Sequence, residues 1–281
     1  MPLATLADVL TAANANGHAV GGLVVLGWED ARAYVAAAEA LGAPVILQAG
    51  PSARAHTPLP VLGAMFRHLA ESASVPVVAH LDHGYEEAEC REAIDAGFTS
   101  VMFDGSKLPF EENAARTRAI AEMAHAAGVS CEGEIGFVGY SEGAESRGTD
   151  PDEAARFADA TGIDAMAISV GNVHLQRDRE GGLDEDRIAA IQARTEVPLV
   201  IHGGSGVPLA QRTRLARTTN VAKFNVGTEL RMAFGAALRA AVEADPARFD
   251  RVQILSETHA PVERAAREAI GAMAPEGGFR R

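Results

Sequence analysis

His83, His174 and His202 each close a short apolar run, and each is followed or preceded by acidic, amide or glycine residues. Imidazoles from separate strands are a ligand set for a catalytic zinc, which takes three protein ligands of nitrogen or carboxylate type and keeps one position open. Asp82 stands immediately before His83, so its carboxylate sits within proton-transfer reach of a hydroxyl bound at such a metal. The competing role for Asp82 is a hydrogen bond that orients a ligating histidine. His80 shares a strand face with Asp82 by alternation, and is expected one layer below it as an orienting group. Asp104 and Glu134 end neighbouring runs and can hold a second cation, divalent or monovalent. Gly203-Gly204-Ser205 and Asn225-Val226-Gly227-Thr228 present free backbone N–H groups and hydroxyls, the donors a phosphate requires.

For these residues to meet, the runs that carry them must end at one face. The runs begin at Ala19, Pro44, Pro76, Ser100, Ser130, Ala165, Pro198 and Val221, and alternate with Ala-, Glu- and Arg-rich stretches of helical period. Continuous apolar strands are buried on both faces, and this alternation predicts an α/β protein, a single (β/α)₈ TIM barrel spanning residues 1–281 as one domain. The doubly wound alternative requires a GxGxxG turn after the first strand; here Gly21-Gly22 lies inside that run. Helices are expected over 29–41, 85–96, 111–127, 151–161 and 208–217, with Asp150-Pro151 as a helix start. In a barrel, active sites assemble at the C-terminal face, and phosphates bind after strands seven and eight. The polar, glycine-rich stretch 136–149 after the fifth run is the one long loop, a length that usually serves function.

Composition removes other classes. A net charge of −13 disfavours nucleic acid and anionic membranes as partners, so an anionic substrate must be held by local groups. Cys90 and Cys131 form no disulfide framework or CxxC pair, and are expected as buried thiols in a reducing compartment. Without a secretory start or a long apolar span, the chain is expected in the cytoplasm. His18, His56, His68, His125 and His259 fall in helices or connections as surface or capping residues. Only Lys107 and Lys223 are available for imine chemistry; Lys107 falls in a loop, and Lys223 is expected at the far end of the barrel, so metal rather than a Schiff base is the consistent chemistry.

Taken jointly, HLDH at 80–83, DGS at 104–106 with PFEEN at 109–113, EGEIG at 132–136, GNVH at 171–174, IHGGSG from Ile201 and KFNVGTEL from Lys223 resemble the class II, zinc-dependent fructose-bisphosphate and tagatose-bisphosphate aldolases over nearly the full length. The resemblance implies Zn²⁺ on His83, His174 and His202, with Asp104 and Glu134 lining a second cation site. It implies Asp82 as the proton donor and acceptor at the C4 hydroxyl, and Glu142, in the loop after strand five, as the carboxylate exchanging a proton with the enediolate. Gly203, Gly204, Ser205, Asn225, Val226, Gly227 and Thr228 would bind dihydroxyacetone phosphate, in a homodimer or homotetramer. Three departures bear on substrate. Leu175, Gln176 and Arg177 follow His174 where the family has Gly and then Lys, and Arg177 is expected to take over that lysine's charge at the donor phosphate. The asparagine after the first strand is missing from Leu23-Val24-Val25, and Gly50 replaces a serine. Both belong to the distal phosphate site, with no replacement visible, so the aldehyde half is expected to differ from glyceraldehyde 3-phosphate. The second reading is accordingly an aldolase of the same type for another ketose or an acidic sugar lacking the distal phosphate; a sugar-phosphate binding paralogue without catalysis is disfavoured by the retained Asp82, Glu142 and histidines.

Overall fold

A computed structural model describes residues 3–141, 143, 145–180 and 182–279. Eight parallel strands, β1 (Val20–Val24), β2 (Val45–Ala49), β3 (Val77–Gly84), β4 (Ser100–Phe103), β5 (Ser130–Ile135), β6 (Ala165–Ile168), β7 (Leu199–Ile201) and β8 (Val221–Val226), close into a barrel in sequence order. β1 pairs with β8, which completes the ring and leaves no sheet edge. The outward side chains, among them Leu47, Val77, Leu81, Phe103, Ile168 and Phe224, pack against the surrounding helices in one continuous core. The N-terminal end is sealed by helix Leu6–Ala15, whose Leu6, Val9, Leu10 and Ala13 press on Ile46, Val78, Met102 and Val200 inside the barrel. Thr5 and Asp8 form a capping box that fixes where this helix starts. Truncating the fully buried Leu10 to Ala is expected to cost about 2–5 kcal/mol by denaturant unfolding, because the plug has no room to relax.

Helix Pro151–Thr161 has the limits the sequence predicts, with the Asp150 carboxylate accepting from the N–H groups of Asp152 and Glu153 at 2.9 and 3.0 Å. The helix expected from Tyr85 begins instead at Glu87, because Glu86 is its N-cap and Glu89 accepts from the N–H groups of Tyr85 and Glu86. His18 departs from its surface assignment: it is buried, edge-on to Phe279. Cys90 and Cys131 are buried free thiols, as expected. No helix among the described residues is long and apolar enough to cross a membrane.

Two irregularities re-aim side chains. On β3, Leu81 pairs with Val101 and Gly84 with Phe103, so Asp82 and His83 together oppose the single residue Met102. His83 takes φ 51, a left-handed conformation unusual for a residue with a Cβ, and this bulge lets two consecutive side chains reach the barrel mouth. Between β7 and β8, Leu199 pairs with Val221 and Val200 with Lys223, leaving Ala222 as the extra residue. Past Ala222 the alternation changes phase: Phe224 and Val226 face the outer core, and Lys223 and Asn225 face inward.

Candidate active site

The C-terminal mouth of the barrel brings His83, His174 and His202 together, with a ligating nitrogen of each within 4.8 Å of the others. His83 comes from the β3 bulge, His174 from the segment after β6, and His202 from the end of β7. Each is fixed by its backbone. Arg54 donates to the carbonyls of Asp82 and His83 at 2.9 and 2.6 Å, clamping the bulge. Asn172 donates to the carbonyl of His202 at 3.0 Å. His174 is held by the loop after β5: its N–H donates to Gly139, its carbonyl accepts from Ser141, and its ring stacks on Tyr140 at 5.0 Å. The residue after it, where the resemblance expects glycine, keeps the left-handed backbone, φ 61, although it is Leu175. Strain retained at His83 and Leu175 marks positions that the surroundings over-determine.

Asp104 and Glu134 also meet His83, forming a second cluster that shares this histidine. His83 Nδ1 lies 2.8 Å from Asp104 and 3.8 Å from Glu134, and the Ser106 hydroxyl donates to Asp104 at 2.6 Å. Asp82 reaches into the same space, 3.9 Å from His83 Nε2, and accepts from Asn225 at 3.3 Å. Burial and the Asp104 charge push Glu134 up to about 8. Burial opposes charge on His83, yet Asp82, Asp104 and Glu134 around it push it up to about 10. Burial, reinforced by His83 and His202, lowers His174 to about 3, and burial likewise lowers His202, so both are neutral imidazoles, the form that binds metals. Asp82 is held below its ordinary value despite burial by His83, His202, Lys223 and His80. A site with Asp82, Asp104 and Glu134 gathered around His83 is built around a positive charge.

The donor set fits a divalent cation on a second count. Buried His202 Nδ1 and Glu134 Oε2 have no hydrogen-bond partner among the described residues, and they face each other at 3.6 Å. Buried polar atoms are rarely left so, and a metal accounts for both. His202 presents Nδ1 because Nε2 is engaged by Glu132 at 3.1 Å. Glu132 in turn accepts from Lys223 at 2.6 Å, and Lys223 lies 3.2 Å from His80, whose other nitrogen meets Ser100 at 2.8 Å. His80 is thus one layer down, as the sequence predicts. Lys223 is not at the far end of the barrel: it lies in this layer, fully buried, directly beneath the histidines. The bulge at Ala222 turned it inward, where strict alternation hides it.

Gly203, Ser205, Asn225, Gly227 and Thr228 line the cavity of about 320 Å³ that contains Asp82, His83 and His174. Gly203 has φ 65, and a Cβ there would run into the carbonyl of Val173. Ser205 Oγ accepts from the N–H groups of Gly227 and Glu229, tying the β7 loop to the start of helix Thr228–Ala244. Buried Arg212, which motif reading passed over, braces this junction through Glu229 and the carbonyls of Val207 and Ser205. Gly204 and Val226 do not line the cavity; Val226 points into the outer core. Arg177 lines an adjoining cavity of about 810 Å³ with Arg231 and Arg239. Glu142 lies outside the described residues. Val24 and Gly50, where the expected asparagine and serine are missing, border the same cavity as Asp82, and so does Arg231, which no motif singled out.

Known proteins share this architecture and sequence. The family described as "Fructose-bisphosphate aldolase class-II" matches residues 4–277. The 6-phospho-5-dehydro-2-deoxy-D-gluconate aldolase of Shouchella clausii is 37% identical over 278 residues, 96% of this chain and 94% of that protein. A fructose-bisphosphate aldolase of Staphylococcus aureus is 37% identical over 279 residues, 96% of this chain and 95% of that protein. The crystal structure of the YdjI aldolase from Escherichia coli K12 superposes with a TM-score of 0.83 at 29% identity, covering 98% of both chains. With its eight-stranded barrel and its mouth of three histidines beside an aspartate, the chain belongs to the class II fructose-bisphosphate aldolase family and is an aldolase, a carbon–carbon lyase.

Proposed function

We propose that the chain, as one domain, cleaves and forms a ketose phosphate at the C3–C4 bond, with dihydroxyacetone phosphate as the donor half and Zn²⁺ held by His83, His174 and His202. The observation that carries this reading is the convergence of three imidazoles on the unpartnered His202 Nδ1, with the Asp82 carboxylate beside them. A divalent cation there supplies Lewis-acid stabilisation of the charge that C3–C4 cleavage leaves on the C2 oxygen. Asp82, ionised by its surroundings, takes the proton of the C4 hydroxyl in cleavage and returns it in condensation. Gly203, Ser205, Asn225, Gly227 and Thr228 hold the donor phosphate with backbone N–H and side-chain donors at the start of helix Thr228–Ala244. Gly204 shapes that turn, Val226 offers only its backbone, and Arg177 adds charge from the adjoining cavity. Glu142 exchanges the proton at C3 of the donor half. Asp104 and Glu134, sharing His83, form the second cation position.

The relatives' names place a fructose bisphosphate on one and a phosphorylated deoxygluconate on another, so the aldehyde half is what varies among them. A homodimer or homotetramer completes the reading, and the two buried, unpaired thiols support its place in the cytoplasm. Exhaustive chelation is expected to abolish cleavage and added zinc or cobalt to restore it, followed by coupled assay alongside metal analysis. Full turnover with metal confirmed absent would overturn the reading.

A further inference from the structure

We infer that Arg54 is a positioning residue for the proton transfer: acting through the backbone of the β3 bulge, it aims the Asp82 carboxylate into the cavity. The inference rests on the aldolase reading above, in which Asp82 works at the C4 hydroxyl, and adds to it a residue that no motif indicates. The bulge needs an outside support because the sheet does not supply one. Pairing of β2 with β3 ends at Ala49 and Leu81, and pairing of β3 with β4 passes from Leu81 to Gly84, so Asp82 and His83 have no register partner on either side. The N–H of His83 meets Met102 Sδ at 3.4 Å, a weak acceptor, and the backbone there holds φ 51.

Arg54 takes over the missing bonds. From helix Pro51–His56 its guanidinium spans both carbonyls of the bulge, Nη1 donating to Asp82 at 2.9 Å and Nη2 to His83 at 2.6 Å, with the side chain only 9% exposed. Glu89 fixes the fork from behind: one carboxylate oxygen pairs with Arg54 at 3.3 Å, and the other accepts from the N–H groups of Tyr85 and Glu86, the residues that leave the bulge. One ion pair thus pins the turn at both ends. The two side chains that the bulge carries depend on it unequally. The His83 ring is also held from outside, by Asp104 at 2.8 Å and by the cation proposed to join it to His174 and His202. Among the described residues the Asp82 carboxylate has one hydrogen bond, from Asn225 at 3.3 Å, so its aim is set by the backbone beneath it.

The test compares two reactions in one zinc-loaded preparation. Exchange of the C3 proton of dihydroxyacetone phosphate with deuterated water uses the metal and not Asp82. Condensation with the faster of D-glyceraldehyde and D-glyceraldehyde 3-phosphate also needs Asp82, to protonate the new C4 oxygen. In Arg54→Met, condensation is expected to fall about 10–100-fold relative to exchange, the scale of a reacting group left without its support, with zinc content unchanged. Arg54→Lys keeps the charge without the fork that spans two carbonyls, and should lose less. In an Asp82→Asn background the same Arg54→Met change should cost less than about threefold more, because groups that act as a unit are not additive. Exchange and condensation falling together, zinc lost with them, or the two substitutions multiplying would overturn the assignment. A wild type that catalyses neither reaction would overturn the aldolase reading itself. Because the readout is a ratio within one preparation, partial misfolding of a variant does not mimic the effect.

Discussion

An Asp82→Asn enzyme is expected to keep its metal and lose about 10²–10⁴-fold in kcat, the usual contribution of a general acid–base group. The carboxylate occupies the cavity beside the three imidazoles, 3.9 Å from His83 and bonded to Asn225 at 3.3 Å. Burial disfavours its charge, but the cations and imidazoles around it hold it below the ordinary carboxylate value, so it is a ready acceptor at neutral pH. An amide of the same shape can still accept from Asn225 and cannot take a proton. His202→Ala is the contrasting variant: it removes the atom that nothing else satisfies, so metal content and activity should fall together. Metal analysis with steady-state cleavage rates separates the two, and more than about a tenth of wild-type kcat in Asp82→Asn would remove the proton-transfer role.

Replacing Lys223 with Met is expected to weaken zinc binding by about 10–100-fold, as measured against a competing chelator, although Lys223 touches no metal. The ammonium neutralises Glu132 at 2.6 Å in a layer where both are fully buried, and Glu132 fixes His202 through Nε2 at 3.1 Å. Without the lysine, Glu132 is a buried charge with no cation. It would take up a proton or draw one from His202, and either change alters the imidazole that must present Nδ1. Breaking a buried pair by removing one partner typically costs about 3–5 kcal/mol, so urea unfolding of the metal-free variant should show a loss on that scale. Adding Glu132→Gln should return part of the stability and none of the affinity, because an amide does not set the His202 tautomer as a carboxylate does. Wild-type zinc affinity in Lys223→Met would reduce the chain from Ser100 to His202 to packing.

Much of the site was legible in one dimension because parallel barrels impose a simple rule: apolar runs are strands, and polar residues at their C-terminal ends share a face. That rule located His83, His174, His202, Asp104 and Glu134, and the structure brings all of them to one mouth. Strict alternation by itself does not bring every one of the site's side chains there. Asp82 and His83 are neighbours, and in a regular strand they would face opposite ways; the bulge opposite Met102 and the left-handed His83 let both serve one cavity. Lys223, expected at the far end of the barrel, lies beneath the histidines instead, because the extra residue Ala222 reverses the alternation of β8 and turns it inward.

Arg231 and Arg54 were invisible for a different cause. Each meets residues far away in sequence: Arg231 lines one cavity with Val24, and Arg54 donates to the carbonyls of Asp82 and His83. The sequence by itself determined the barrel, the three histidines and the glycine-rich turns that line their cavity, because periodicity and strand-end placement are local. Only the tertiary structure decided which way β3 and β8 turn their side chains, what lies beneath the histidines, and which cation lines the same cavity as Val24 and Gly50. Those depend on register shifts between strands and on contacts closed by the barrel, and neither leaves a mark in the spacing of residues along one chain.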